Sequence, residues 1–194
     1  MAGQDDEFIQ ILKSSASYLA ESSRQAMQWF KDKVVDIIRG VKKKIADKIF
    51  TPTTRPQIGK MYLYFYDAKY KDILPYFDMY PLVFPIEFYN DGFLGINLHY
   101  LPPLSRASLL SNLKKLLNND KYDETSRLNI SYRILKTHAV QFAGFENCVK
   151  RYLFSQMRSS FNEISITDWD KTVLLPLQRW SINPNKAYAG RPPY

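Results

Sequence analysis

Cysteine and histidine are almost missing from this chain: Cys148 stands alone, and His99 and His138 are the only histidines. One cysteine excludes an intramolecular disulfide and fits a reducing compartment. A structural zinc needs about four ligands at close spacing, mostly Cys and His, and these three scattered residues do not supply them. Glycine is also sparse, and none of it forms Gly-x-x-x-x-Gly-Lys-Ser/Thr, Gly-x-Gly-x-x-Gly or Gly-x-Ser-x-Gly. That removes the phosphate-binding loop, the dinucleotide fingerprint and the nucleophile elbow; a Ser–His–acid triad without that elbow stays open on composition. No apolar run approaches the roughly 20 residues of a membrane span. The acidic start, Asp5, Asp6 and Glu7, does not resemble a secretory signal. The expectation is a soluble protein, intracellular when made.

What is present is basic and aromatic. The formal net charge is +8 with a pI near 9.4, which makes polyanions plausible partners: nucleic acid, an anionic membrane or an acidic protein surface. Aromatics reach 15%, with 14 Tyr and 12 Phe. Such residues either build strands or, for Tyr, sit half-buried at interfaces with the hydroxyl wet, and composition leaves both readings open. At 45% hydrophobic and 24% charged, the chain has the make-up of one globular domain with an appendage.

Residues 1–50 read as an N-terminal amphipathic arm. Proline is absent before Pro52, and Gly40 is the only glycine of this stretch after Gly3. Met27, Phe30, Val34, Ile37, Val41, Ile45 and Ile49 recur at spacings of three and four, one face of a helix. Lys31, Lys33, Lys42, Lys43 and Lys44 lie around its sides, and the serines of 14–23 predict a break or fraying there. Such a stripe must be covered by the chain's own domain, a copy or another chain, and the expectation is a partner. Thr51-Pro-Thr-Thr-Arg-Pro56 ends the helix, with 51–57 as linker.

From residue 58 to 182 the pattern predicts a globular α+β domain. Strands are expected at 61–66, 80–89 and 93–98, with Pro81 and Pro85 marking an edge or a bulge. A turn is expected at Tyr89-Asn-Asp-Gly92, whose glycine tolerates φ > 0. These strands suggest a small, bent antiparallel sheet, SH3-like or a partial barrel. Helices are expected at 106–118 behind a Ser105 cap, at 124–136, at 146–160 and at 168–175. Residues 183–194 form an extended Pro-rich tail with too few aliphatic residues for a core.

No constellation reads as catalytic or metal-binding, and no cofactor is implied. His99 reads as a hydrogen-bonded structural residue, and Cys148, inside an apolar-periodic run, as a buried thiol rather than a nucleophile lowered by Lys150 and Arg151. Asp168 and Asp170 around Trp169 read as a helix start, where acids favour the dipole. The basic residues cluster at Lys42, Lys43 and Lys44, at Lys114 and Lys115, and at Lys150 and Arg151 with Arg158 beyond, the later ones on expected helices. Phosphates can be neutralised by such charges without base reading, and a solvated helix face is the plainer reading. Nothing matches a recognition helix or a zinc finger, so sequence-specific regulation is not expected.

The runs Ile58-Gly-Lys-Met-Tyr-Leu-Tyr-Phe-Tyr-Asp67 to Leu74-Pro-Tyr-Phe-Asp78, Pro81-Leu-Val-Phe-Pro-Ile86 and Asp91-Gly-Phe-Leu-Gly-Ile-Asn-Leu-His-Tyr-Leu-Pro102 resemble a family of minor virion proteins of contractile-tailed phages. Cys148-Val-Lys-Arg-Tyr-Leu153 and Trp169 with Leu174-Leu-Pro176 fit the same group, and the resemblance spans residues 58–176. It implies a DNA end protector-like protein, non-enzymatic, at the ends of packaged DNA in the head–tail region. The alternative is a neck, tail or baseplate subunit with no DNA role. Either way it implies a place in the virion, with the host cytoplasm as the site of assembly. The family supplies no catalytic residue. Expected partners are other virion proteins, met through the N-terminal stripe and through Tyr188, Arg191 and Tyr194 of the tail, and duplex DNA without sequence specificity, but no membrane.

Overall fold

The stripe that begins at Met27 lies, as far as Ile45, on the helix α2 (Ala16–Ala46), preceded by a short α1 (Glu7–Lys13), and Ile49 falls outside the described residues. The computed structural model describes residues 7–46, 55–71, 77–141 and 148–175. The break expected in the serine-rich stretch falls at Ser14–Ser15, where Ser14 Oγ donates to the Gln10 carbonyl and Ser15 Oγ accepts from the Tyr18 amide. Ser15 therefore stands where an N-cap is needed.

The sheet has five antiparallel strands: β1 (Met61–Leu63), β2 (Leu82–Phe88), β3 (Gly92–Asn97), β4 (Val149–Leu153) and β5 (Asn162–Ile164), in the spatial order β4-β3-β2-β1-β5. It is not closed, and the expected α+β class with its antiparallel sheet holds. β2 is central, not an edge. β1 registers against it only at Leu82 and Val83, so Pro85 lies where β2 has β3 alone as neighbour, and a bulge falls between Pro85 and Glu87. The missing amide of Pro85 thus costs no ladder bond to β1.

Side-chain alternation divides the sheet into two apolar layers. Met61, Leu63, Leu82, Phe84, Ile96 and Ile164 face the helices, together with Phe8 of α1 and Ala26, Phe30 and Ile37 of α2. The same layer takes Leu109, Leu110 and Leu113 of α3 (Pro103–Leu117), Leu135 of α4 (Glu124–Gln141) and Trp169 of α5 (Trp169–Val173). On the opposite face Tyr62, Tyr64, Tyr66, Phe93 and Tyr152 form a second cluster with Phe154 and Phe161 against it. Its rings meet mostly edge-on, as Tyr64 does with Phe161 at 5.0 Å and Tyr66 with Tyr152 at 5.1 Å.

The expectation that another chain covers the α2 stripe is corrected at Phe30 and Ile37, which are buried in the chain's own core, with Met27, Val34 and Val41 packed against it. The Phe30 ring meets His99 edge-on at 5.1 Å, and Lys33 reaches Asp168 at 3.5 Å. Isolated apolar stripes are costly in water, and here the sheet's helical layer lies within reach of the same chain.

Of the helix expected at 146–160, the described part, 148–160, is not helical: within it lies β4, followed by a 3-10 turn at Phe154–Gln156. Gly92 does not need a left-handed φ; among the described glycines only Gly59 has a positive one. The constraint at Gly92 is close approach, because a Cβ there would lie 2.0 Å from the Tyr152 carbonyl oxygen. Ser105 is no cap either. α3 begins at Pro103, a residue suited to the first turn, and the Arg106 amide donates to the Pro102 carbonyl.

Arg106 is wholly buried. It donates from Nε to the Leu101 carbonyl and from one terminal nitrogen to the carbonyls of Thr172 and Leu175, so a cation satisfies the C-terminal end of α5. Burial pulls its pKa down to about 10. No helix among the described residues is long and apolar enough to cross a membrane.

Candidate nucleic-acid interface

β4 carries the basic pair Lys150 and Arg151 at the sheet edge, not on a helix. Its alternation places Val149 against the helical layer and Tyr152 in the aromatic one. Lys150 is half-buried with its ammonium 5.3 Å from the Tyr100 ring centre, and burial lowers its pKa to about 8. Arg151 is exposed; it pairs with Asp91 at 2.5 Å and lies 4.3 Å over the Tyr89 ring.

Beside β4 runs the segment that follows β1, Tyr66-Asp67-Ala68-Lys69-Tyr70, tied by the isolated bridge Tyr66–Met157 to the stretch just after the 3-10 turn that follows β4. Lys69 Nζ lies 5.3 Å over the Tyr70 ring, and Tyr70 is 55% exposed. Between these elements is a hollow of about 440 Å³, whose lining includes Tyr66, Lys69, Tyr70, Phe77, Tyr100 and Lys150.

Asp78, which also lines the hollow, is engaged below the surface. Its Oδ2 accepts from Asn97 Nδ2 at 3.0 Å and pairs with His99 Nδ1 at 2.6 Å, while Oδ1 accepts from the Tyr80 amide at 2.9 Å. Asn97 Nδ2 donates also to Tyr152 Oη at 3.1 Å, and Asn97 Oδ1 accepts from the His99 amide. Burial holds the Tyr152 phenol far above its ordinary pKa. This network is buried and hydrogen-bonded, as stable buried polar groups must be, and it positions the end of β3. His99 is accordingly a structural residue here, its Nε2 meeting no partner among the described residues.

Among the described residues, the remaining predicted cations are spread over the surface. Lys42 and Lys43 are exposed near the end of α2, and the side chains of Lys44 and Ile45 lie outside the described residues. Lys114 pairs with Glu7 at 2.5 Å and covers the Phe8 ring at 5.2 Å, with Lys115 exposed beside it on α3. Arg158 pairs with Asp67 at 3.4 Å and lies in the segment between β4 and β5, not on the expected helix. Tyr188, Arg191 and Tyr194 fall outside the described residues, as does the tail. Cys148 is buried, its Sγ donating to the Tyr100 carbonyl, and burial pushes the thiol pKa up to about 12. Among the described residues no three His, Cys, Asp or Glu side chains converge as a metal site.

Sequence reading missed Lys69, Tyr70 and Tyr100 as interface candidates. The signal available was the interleaving of basic and aromatic residues in 66–71; that Lys150 lies across from them was not, because 148–153 was read as helix.

Residues 6–191 match the family model described as the phage T4 terminal DNA protecting protein. The chain belongs to this family. The match begins ahead of α1 and so takes in both N-terminal helices, beyond the 58–176 span of the sequence resemblance. No curated protein and no solved structure matches the chain. Membership in the terminal DNA protecting family gives a phage setting and supports a role associated with DNA ends.

Proposed function

We propose that the chain is a non-enzymatic minor virion protein that sits on the ends of packaged DNA at the head–tail region, binding duplex through phosphates without reading bases. The observation that carries this reading is the family match across residues 6–191. The net charge of +8, the exposed Lys42 and Lys43 and the cations beside the tyrosine-lined hollow are in keeping with it. Assembly takes place in the host cytoplasm, and the other partners are virion proteins.

A linear duplex is expected to compete better than a closed circle of the same sequence and to survive an end-dependent exonuclease longer when the protein is bound. Each phosphate contact contributes about 0.9 to the slope of log K against log salt, so three or four contacts give a slope of roughly 3 to 4. Replacing Lys42, Lys43 and Lys44 by Gln lowers that slope if α2 touches the backbone. Equal competition by circle and linear duplex sinks the end-binding reading.

A second reading, a neck, tail or baseplate subunit with no DNA role, is favoured by one observation. Lys114, Arg151 and Arg158 already have carboxylate partners in Glu7, Asp91 and Asp67. Locating the protein in intact particles separates the two: at the portal for the first, at the distal baseplate for this one.

A further inference from the structure

Most of the aromatic residues on the outer face of the sheet are consumed in its own cluster, but around β4 some ring surface stays open. Tyr70 is 55% exposed, while Phe77, packed against the aromatic cluster, and Tyr100, packed against the helical layer, are only half-buried, and all three line the hollow of about 440 Å³. That volume falls within the range of small-molecule sites, about 300–1,000 Å³. The hollow also holds two ammonium groups, each over a tyrosine ring: Lys69 on Tyr70 and Lys150 on Tyr100. Its carboxylate, Asp78, already takes three hydrogen bonds from Tyr80, Asn97 and His99, so it is turned to the protein's interior.

Ring faces together with cations and no demand for a particular hydrogen-bond pattern describe what an unstacked nucleotide needs. The base supplies a π-face that any aromatic side chain accepts, and the phosphate supplies the anion. A duplex interior cannot use such a hollow, because its bases are already stacked and paired; a strand terminus can. A half-buried lysine whose charge is disfavoured by burial, as at Lys150, gains most from an arriving anion.

We propose that this hollow takes the unpaired terminal nucleotide of a DNA strand, its base against Tyr70 and Tyr100 and its phosphate on Lys69 and Lys150. The proposal rests on the DNA-end reading above and deepens it: ends are told from interior duplex by a base that enters the protein. Sequence independence follows, because stacking accepts every base.

The test uses the full chain and internally labelled duplexes, one blunt and one with a short single-stranded overhang ending in a phosphate, read by fluorescence anisotropy. The overhang is expected to bind tighter than the blunt end. Tyr70→Ala removes an exposed ring and leaves the fold intact, to be verified by an unchanged melting temperature; it is expected to lower overhang affinity roughly 5- to 150-fold, the usual range for one lost base–aromatic stack. Lys69→Gln and Lys150→Gln are expected to erase the advantage of a terminal phosphate over a terminal hydroxyl. Variants that bind the overhang as tightly as the parent overturn the proposal, and if linear duplex still outcompetes circle, DNA-end binding survives without it. If circle and linear duplex compete equally while Tyr70→Ala still weakens binding of a short single strand, the hollow is a nucleotide site and the end-protecting role is what fails.

Discussion

Phe30→Ala tests whether α2 belongs to the core or is an arm that waits for a partner. The ring is 6% exposed, it lies in the cluster shared by sheet and helices, and it meets His99 edge-on at 5.1 Å. Truncating a buried Phe to Ala costs about 3–5 kcal/mol, from lost transfer energy and the cavity left behind. Total stability of a domain is about 5–15 kcal/mol, so this is a large fraction of it. For a chain of this size each kcal/mol moves the melting temperature about 2–4 °C, which gives a fall of roughly 6–20 °C. Val35, on the same helix but 40% exposed, is the control: Val35→Ala should change stability by about 0.5 kcal/mol or less. Thermal unfolding followed by far-ultraviolet circular dichroism and by tryptophan fluorescence reads both helix and core, since Trp29 is on α2 and Trp169 on α5. One shared transition that drops for Phe30→Ala is the expected result. If the core transition stays within about 2 °C of the parent while helical signal is lost separately, α2 does not stabilise the domain and the reasoning is refuted.

Gly92→Ala should destabilise the β3–β4 edge, because the added Cβ meets the Tyr152 carbonyl oxygen at 2.0 Å; Gly40→Ala, with nothing within 4 Å, should raise the melting temperature slightly by favouring helix. A Gly92→Ala protein as stable as the parent would show that β4 shifts freely. Cys148, with its thiol pKa at about 12, should resist a thiol-specific disulfide reagent in the native state from pH 7 to 9 and react only on unfolding; a rate that climbs with pH like that of an exposed thiol contradicts its burial. Lys150 has a folded pKa of about 8, below the ordinary lysine value of about 10.4. Between those values the unfolded chain holds the proton that the native one has lost, so stability contributed by this group rises with pH across the window. Lys150→Met should therefore be more stable than the parent at pH 7, with the gap closing towards pH 10; a gap that does not change with pH speaks against desolvation as its cause.

Much of the secondary structure was legible because its causes are local. The three-and-four spacing from Met27 onward is carried by α2, the leucines from Leu109 to Leu117 by α3, and Tyr89-Asn-Asp-Gly92 by a turn whose Tyr89 amide donates to the Gly92 carbonyl. The two-residue alternation from Met61 to Tyr64 was visible too, and it already separates the Met61 and Leu63 face from the Tyr62 and Tyr64 face. Basic charge and the family runs pointed to a phage DNA-end protein, and the family match agrees.

Position in space was a different matter. Val149-Lys150-Arg151-Tyr152-Leu153 is short enough to satisfy helical or strand periodicity. It is a strand because the free edge of β3 offers backbone partners from Gly92 to Ile96, and Gly92 lets the two chains close. The candidate interface follows from that pairing: it sets Lys150 across from Lys69 and Tyr70, some 80 positions earlier in the chain. Charge was likewise countable but not assignable from sequence, since Glu7 and Lys114 are 107 residues apart and still pair. The amphipathic stripe of α2 stated that apolar surface had to be buried; that its cover is this chain's own core was decided by long-range packing, because an apolar side chain loses water equally well against any dry surface.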